Sequence, residues 1–443
     1  MLYEAEPGDI LMAFTGDSMI TRPHSLFREP RFLELRELLR RADMAFANLE
    51  MLVHLWEGSP GFQTGTYTAT DPANLEELKW LGINIVSCAN NHSFDYGETG
   101  ALENKRNLER SGLPHAGSGR NLAEAQAPAY LETPRGRVAL IAATSTFREA
   151  ARAGQARPDM HGRVGINTLR HQVTYTADRE AFEQLRRLSR GLGLEVEKEF
   201  WHRFGTRGPM PQDTDTEFHF LDRKFVLGEE FRTTTRPHPE DLDGNLRWVR
   251  EARRQADWVL VSLHNHEFGA TREEPAQFVV EFAHACIEAG ADAFIGHGPH
   301  FDRGIEVYRG RPIFYALGNF IFQNEAVRRL PHDAYSRFGL GMDATPSDYY
   351  DARSANDTQG FPADPVHWRT VVAQVEFRRK ELAEVRLIPV DLGFGRPRPQ
   401  RGRPVLAEGE VARQALEQIT RLSEPFRTRI EVRDGVGVIE AGQ

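Results

Sequence analysis

Short apolar runs that end in polar residues recur along the chain, separated by stretches with helical spacing. Ile10-Leu11-Met12-Ala13-Phe14-Thr15 runs into Gly16-Asp17-Ser18-Met19 and predicts a strand closed by a tight polar turn, with Asp17 at the strand end. Leucines at helical spacing from Leu33 to Arg41 predict a helix, and Met44-Ala45-Phe46-Ala47 a second strand closed by Asn48-Leu49-Glu50. A helix is expected from Pro72 to Leu81, with Pro near its first turn and Gly82 just past its end. Ile83-Asn84-Ile85-Val86-Ser87 then reads as a buried strand that delivers Asn90, Asn91 and His92 into a loop. An amphipathic helix over 97–111 and a strand over 138–143 continue the alternation, which is the signature of a layered α/β fold.

Residues 151–245 break that rhythm with high charge, Arg-Gly and Pro turns and a helical stretch near 180–194, so they read as an insertion, a lid or a partner surface. The α/β core, expected over 8–150 and 246–395, resumes with Trp258–Leu263, a strand ending in His264-Asn265-His266-Glu267, and a helix from Pro275 to Ala289 that stops at Gly290. Ala293-Phe294-Ile295 is a very short strand before Gly296-His297-Gly298-Pro299-His300, and a hairpin turns at Arg309-Gly310. Residues 323–368 have no clear period. Val371 to Phe377 and Leu382 to Val390 read as an antiparallel pair, and residues 396–443 as a C-terminal extension with a helix near Val411 to Leu422.

Five strand ends thus carry Asp17, Glu50, Asn91 with His92, His264 with His266, and His297 with His300. Acid, amide and imidazole groups aimed into one crevice at the strand carboxyl ends are the oxygen and nitrogen donors that a divalent cation needs. Gly16, Gly296 and Gly298 let the backbone approach that centre closely. Taken one at a time, each of these residues has a structural alternative, as a loop cap or a buried histidine. His266 is a second-tier candidate, because it points inward only if its strand continues.

Composition narrows the class. In 443 residues, 40% are hydrophobic and 27% charged, so a soluble α/β unit with a sizeable core is expected, and the net charge of -9 argues against a nucleic-acid surface. Arg309, Arg311, Arg369 and the arginines of 396–403 are candidates to hold substrate carboxylates, or are simply solvated. Cys88 and Cys286 sit in apolar contexts and read as buried thiols without a disulfide framework. Met1-Leu2-Tyr3-Glu4-Ala5-Glu6 lacks the basic start and apolar core of a secretory signal, and no apolar run is long enough to span a bilayer, so a cytoplasmic protein is expected.

The ordered set Gly16-Asp17, Ala47-Asn48-Leu49-Glu50, Asn90-Asn91-His92-Ser93-Phe94-Asp95-Tyr96-Gly97, Ser262-Leu263-His264, Gly296-His297-Gly298-Pro299-His300 and Tyr315-Ala316-Leu317-Gly318-Asn319-Phe320 resembles the CapA family of poly-gamma-glutamate synthesis proteins, within the calcineurin-like metallophosphoesterase superfamily. The resemblance spans about Ile10 to Phe322 outside the insertion, and it implies a four-layer αββα sandwich with the site at the strand ends. It also implies metal ligands Asp17, Glu50, Asn91, His264, His297 and His300, with His92 and Asp95 as a general-acid pair. Asp17 is followed by Ser18 and Met19 where the superfamily has a nearby His, Glu50 stands where an Asp is usual, and His297 and His300 are one residue further apart than in Gly-His-X-His. By position, one metal would be held by Glu50, Asn91, His264 and His297, while the other retains only Asp17, Glu50 and His300. One zinc, manganese or iron ion is therefore expected rather than two.

The resemblance implies a hydrolase of an amide or phosphoester bond in a glutamate-rich or peptide substrate. Two alternatives stand beside it. One is a metal-independent peptide epimerase in which Asp17 and His300 or His297 face each other across a substrate as acid and base. The other is a non-catalytic component of polymer biosynthesis.

Overall fold

The computed structural model describes residues 8–62, 65–205 and 212–440, so the reading of Met1 to Glu6 lies outside the described residues. Two large sheets organise a mixed α/β fold. In the first, Arg369–Arg378, Ile10–Met19, Met44–Leu49, Ile85–Ser87 and His115–Ala116 lie in that order, and Asn319–Phe322 pairs on the end of Ile10–Met19. In the second, Arg311–Ala316, Ala293–His297, Trp258–His264 and Gly136–Thr144 are neighbours and parallel.

Strands buried on both faces read as continuous apolar runs, and their alternate residues go to opposite sides. Phe14, Phe46 and Ile85 of the first sheet share one buried cluster with Leu140, Leu260 and Ile295 of the second. The intervening residues Ala13, Ala45 and Val86 pack instead against Phe32, Leu35 and Leu39 of helix Pro30–Arg41 and Leu75 and Leu78 of helix Asn74–Leu81. On the far side of the second sheet, Ile141, Val261 and Phe294 meet Val249 of helix Pro239–Gln255 and Phe278 and Phe282 of helix Gln277–Ala289. Gly82 and Gly290 end their helices at φ of 110° and 116°, a left-handed cap that glycine adopts without a Cβ clash.

Several elements extend further than their sequence pattern. Asp17 is not at a strand end: the strand continues to Met19 across register irregularities on either side of Asp17, because Asn319–Phe322 pairs with its last residues. His264 and His297 are likewise the final residues of their strands, opposite each other in register. The hairpin turns at Arg309 and Gly310, with φ of 51° and 72°, and Arg369–Arg378 pairs antiparallel with Glu381–Asp391. Within 151–245, a separate sheet of Glu217–Phe220, Arg223–Leu227, His171–Ala177 and Arg232–Pro237 carries helices Arg179–Gly191 and Leu194–Phe204. The segment after Gly409 adds the strands Glu431–Arg433 and Val436–Glu440 to the edge of the first sheet. Cys88 and Cys286 are buried free thiols. Among the described residues, no helix is long and apolar enough to cross a membrane.

Candidate metal centre

The register of the two sheets levels the polar residues. Asp17 is paired in register with Asn48 on one side and Asn319 on the other, and His264 with His297 across the second sheet. All five side chains are buried, which gathers polar chemistry near the carboxyl ends of the parallel strands. Asp17 is held from two directions: Oδ1 accepts from Asn48 Nδ2 at 2.8 Å, and Oδ2 from the Gly298 amide at 3.0 Å. Gly298 has φ of 119°, and a Cβ there would lie 2.6 Å from the Asn265 carbonyl oxygen, so the close approach that orients Asp17 requires glycine.

Among the described residues, three groups of side chains could each hold a metal ion: Asp17, His264 and His297; Glu50, His264 and His266; and Asp17, Glu50 and His300. In each group the ligand atoms lie within 4.8 Å of one another. Glu50 Oε1 is 3.7 Å from both His264 Nε2 and His300 Nε2, and Asp17 Oδ2 is 3.4 Å from His300 Nδ1. His266, set by its amide donating to Thr146 Oγ1 at 2.8 Å, brings Nε2 to 3.0 Å from His264 Nε2. His297 is placed with Asp17, whose Oδ1 is 3.6 Å from its Nδ1, while its Nε2 is engaged by Ser262 Oγ at 2.6 Å.

Orphaned buried atoms test whether a cation fits. Both Glu50 carboxylate oxygens and the Asn91 Oδ1 are buried without a hydrogen-bond partner among the described residues. Buried polar atoms are otherwise almost always satisfied, and these three are the hard acceptors that a divalent ion takes. Asn90, by contrast, is spent on structure, donating to the Leu49 carbonyl at 2.9 Å and accepting from the His92 amide at 3.1 Å.

Charge agrees with that fit. Burial and the adjacent Asp17 carboxylate hold Glu50 well above its ordinary 4.5. Burial pushes Asp17 up too, but hydrogen bonding and charge from His300, with His297 and Asn48, leave it below 3.8. Burial first, then the neighbouring imidazoles, drives His264 well below 6.5 and His266 to about 3, and burial takes His297 to about 4. Neutral imidazoles present lone pairs, and two acidic groups buried together are relieved by a cation.

His92 stands beside this cluster. Its Nδ1 is 2.7 Å from Asp95 Oδ2, which also accepts from the Thr68 amide at 2.8 Å, and its Nε2 points toward Glu50 at 4.0 Å. Asn91, His92, His266 and His300 line a cavity of about 390 Å³ that Arg353 and Phe361 also line.

The family model described as bacterial capsule synthesis protein PGA_cap matches residues 7–324, which include every one of these polar residues except Arg353. The chain belongs to this family. Among similar proteins, the uncharacterized proteins y4sH and y4uA of Sinorhizobium fredii are each 37% identical over 444 residues, covering 97% of this chain and 92% of theirs. The PGA biosynthesis protein CapA of Bacillus subtilis is 24% identical over 359 residues, or 78% of this chain and 74% of that one.

The structure therefore brings together Asp17, Glu50, Asn91, His92, Asp95, His264, His297 and His300. It joins the second-tier candidate His266 to them and adds Asn48, which reaches Asp17 and, at 3.3 Å, His264 Nδ1. Of the arginines singled out by sequence, Arg309 pairs with Glu288, Arg311 with the Lys380 carbonyl, Arg369 with Gln414 and Gln418, Arg398 with Asp351, Arg401 with Glu325 and Asp357, and Arg403 with Glu29. Arg353, in the aperiodic 323–368 stretch, lines the cavity instead.

Proposed function

We propose that this PGA_cap protein is a metal-dependent hydrolase of an amide or phosphoester bond in a peptide or glutamate-containing substrate. The catalytic core would be a four-layer αββα sandwich of the metallophosphoesterase type over 8–150 and 246–395, with 151–245 inserted. The reading rests above all on the unpartnered oxygens of Glu50 and Asn91 beside neutral imidazoles. Asp17, Glu50, Asn91, His264, His297 and His300, with His266 beside them, would supply the ligands for one ion of zinc, manganese or iron. When bound, that ion supplies a polarised substrate oxygen and an activated water.

The protein's own residues do the rest. Asp95 accepts a hydrogen bond from the Nδ1–H of His92 and fixes the ring, so that the imidazolium form would aim its Nε2–H toward the cavity. That proton passes to the leaving nitrogen or oxygen as the bond breaks, which serves amides and phosphoesters alike. The test is turnover of glutamate-containing peptides and of an activated phosphodiester by wild type and His92→Ala. Loss in the variant with metal retained supports the reading, and equal rates overturn it.

One observation favours a second reading. Asp17, held below the ordinary carboxylate range, and His300 already form an acid and base pair 3.4 Å apart. They sit side by side rather than across a gap, so an epimerase would have to part them around a substrate carbon. Solvent deuterium entering a peptide α-carbon without cleavage would select that reading, and binding without either reaction would select a role in polymer assembly.

A further inference from the structure

The helix Leu194–Phe204, carried by the sheet within 151–245, is turned inside out. It has no buried residue, and its better covered side is polar. Glu195 accepts from the Ser189 hydroxyl, and Lys198 donates to Asp213 Oδ2 at 2.8 Å while its ammonium lies 4.0 Å from the centre of the Phe218 ring. Val196, Phe200 and Phe204 follow one another at four-residue spacing on the opposite side, 71%, 49% and 58% exposed, with the two phenyl rings 4.4 Å apart. A surface helix ordinarily turns such a stripe toward its own core. Scattered apolar side chains need no explanation, whereas a contiguous exposed stripe marks a surface that another body covers.

The flanks of the stripe say which body. Glu199 and Arg203 are exposed and make no ion pair among the described residues. At about 100° and 1.5 Å per residue, both fall on the same side of Phe200, about 100° and 60° from it, and about 6 Å apart along the axis. Now let a second copy face the first, antiparallel, about a twofold axis level with Trp201 and perpendicular to the helix. Glu199 of each copy then stands opposite Arg203 of the other. The same axis offsets the two stripes by about half their spacing, so Phe204 of one copy enters between Val196 and Phe200 of the other. The first turn holds Glu195 and Glu197 and the last turn His202 and Arg203, so antiparallel pairing also sets acidic ends against basic ones. A lipid surface calls for a basic polar face, and the exposed Glu197 and Glu199 beside this stripe do not supply one.

We propose that helix Leu194–Phe204 is the seam of a twofold dimer of this chain, with Val196, Phe200 and Phe204 interdigitated and Glu199 paired with Arg203 of the second copy. One surface patch that complements itself is what a closed twofold assembly needs. The face of one 11-residue helix is smaller than the about 800 Å² per partner of a standard interface, so the dimer is reversible, on the order of micromolar. The seam is independent of the chemistry at the metal cluster.

The test is sedimentation of the full chain from about 1 to 100 μM, where wild type should pass from one chain per particle toward two. Phe200→Glu should keep the circular dichroism spectrum and stay monomeric throughout. Glu199→Arg and Arg203→Glu should each weaken self-association about tenfold, because both symmetric pairs become like-charged in either homodimer. Mixed in equal amounts, these two variants should associate about as tightly as wild type, since every contact again joins unlike charges. That recovery cannot come from a folding defect. A monomer at every concentration, a dimer that Phe200→Glu leaves intact, or a mixture no tighter than its two components would overturn the proposal. A monomer whose Phe200 is required for binding to phosphatidylglycerol vesicles would overturn it in favour of a lipid surface.

Discussion

His92 Nδ1 lies 2.7 Å from Asp95 Oδ2, while the other ring nitrogen faces Glu50 across 4.0 Å. A buried carboxylate on one nitrogen orients the ring, and in the proposed reading the protonated ring would offer its other N–H toward the cavity. His92→Ala is expected to lower kcat by about 10²- to 10⁴-fold while metal content stays at the wild-type level. Asp95→Asn should lower kcat and shift the pH profile with KM little changed. Steady-state kinetics beside metal analysis decide the role, and it is lost if metal disappears together with activity.

His266 tests the geometry of the cluster. Its Nε2 is 3.0 Å from that of His264, and it belongs to one of the three groups able to hold a metal ion. His266→Ala should weaken metal affinity by about tenfold or more, as read by competition with a chelating dye. An unchanged affinity would assign His266 to the cavity wall alone.

Gly298 links backbone conformation to the ligand set. Gly298→Ala places a Cβ at φ of 119° and 2.6 Å from the Asn265 carbonyl oxygen, and disturbs the amide that donates to Asp17. A loss of more than about 1 kcal/mol in urea denaturation is expected, together with weaker metal binding. Wild-type stability in this variant would show that the loop yields without strain.

Much of this site was legible because strand periodicity dictates it. Once Trp258–His264 and Ala293–His297 pair in register, His264 and His297 have to end side by side, and the apolar runs before them announce the strands. His266 was harder to place, since two residues beyond a strand the alternation no longer decides direction, and Thr146 sets it instead. Asp17 was expected at its strand's end and lies within the strand, because the pairing with Asn319–Phe322 is a long-range event that no local pattern carries. Arg353 was invisible for the same reason. Its stretch has no period, and it is positioned by Tyr349 and Tyr350 packing with Tyr67 and Tyr96 from far earlier in the chain. The strands Glu431–Arg433 and Val436–Glu440 are too short to signal themselves, and they form by adding to an existing edge.

His24 makes stability depend on pH away from the metal cluster. It is fully buried with its ring 3.0 Å from Gln323 Nε2, and burial, aided by the charge of Arg403, takes it to about 3 from an ordinary 6.5. The unfolded chain therefore takes up this proton first as pH falls. The stabilisation is complete above pH 6.5 and is lost progressively on the way down toward 3. Between pH 7 and pH 5, His24 alone accounts for a loss of about 2 kcal/mol, and His24→Gln should flatten the profile by that amount in urea titrations. An identical slope in the variant would remove His24 as the cause.

The central claim is that Glu50 and the imidazoles around it hold a metal ion, and elemental analysis of gently purified protein tests it most directly. Wild type should carry about one equivalent of zinc, manganese or iron, and a Glu50→Ala, His264→Ala double variant with an unchanged circular dichroism spectrum should carry none. No stoichiometric metal in wild type, even after reconstitution with each ion, would contradict the account.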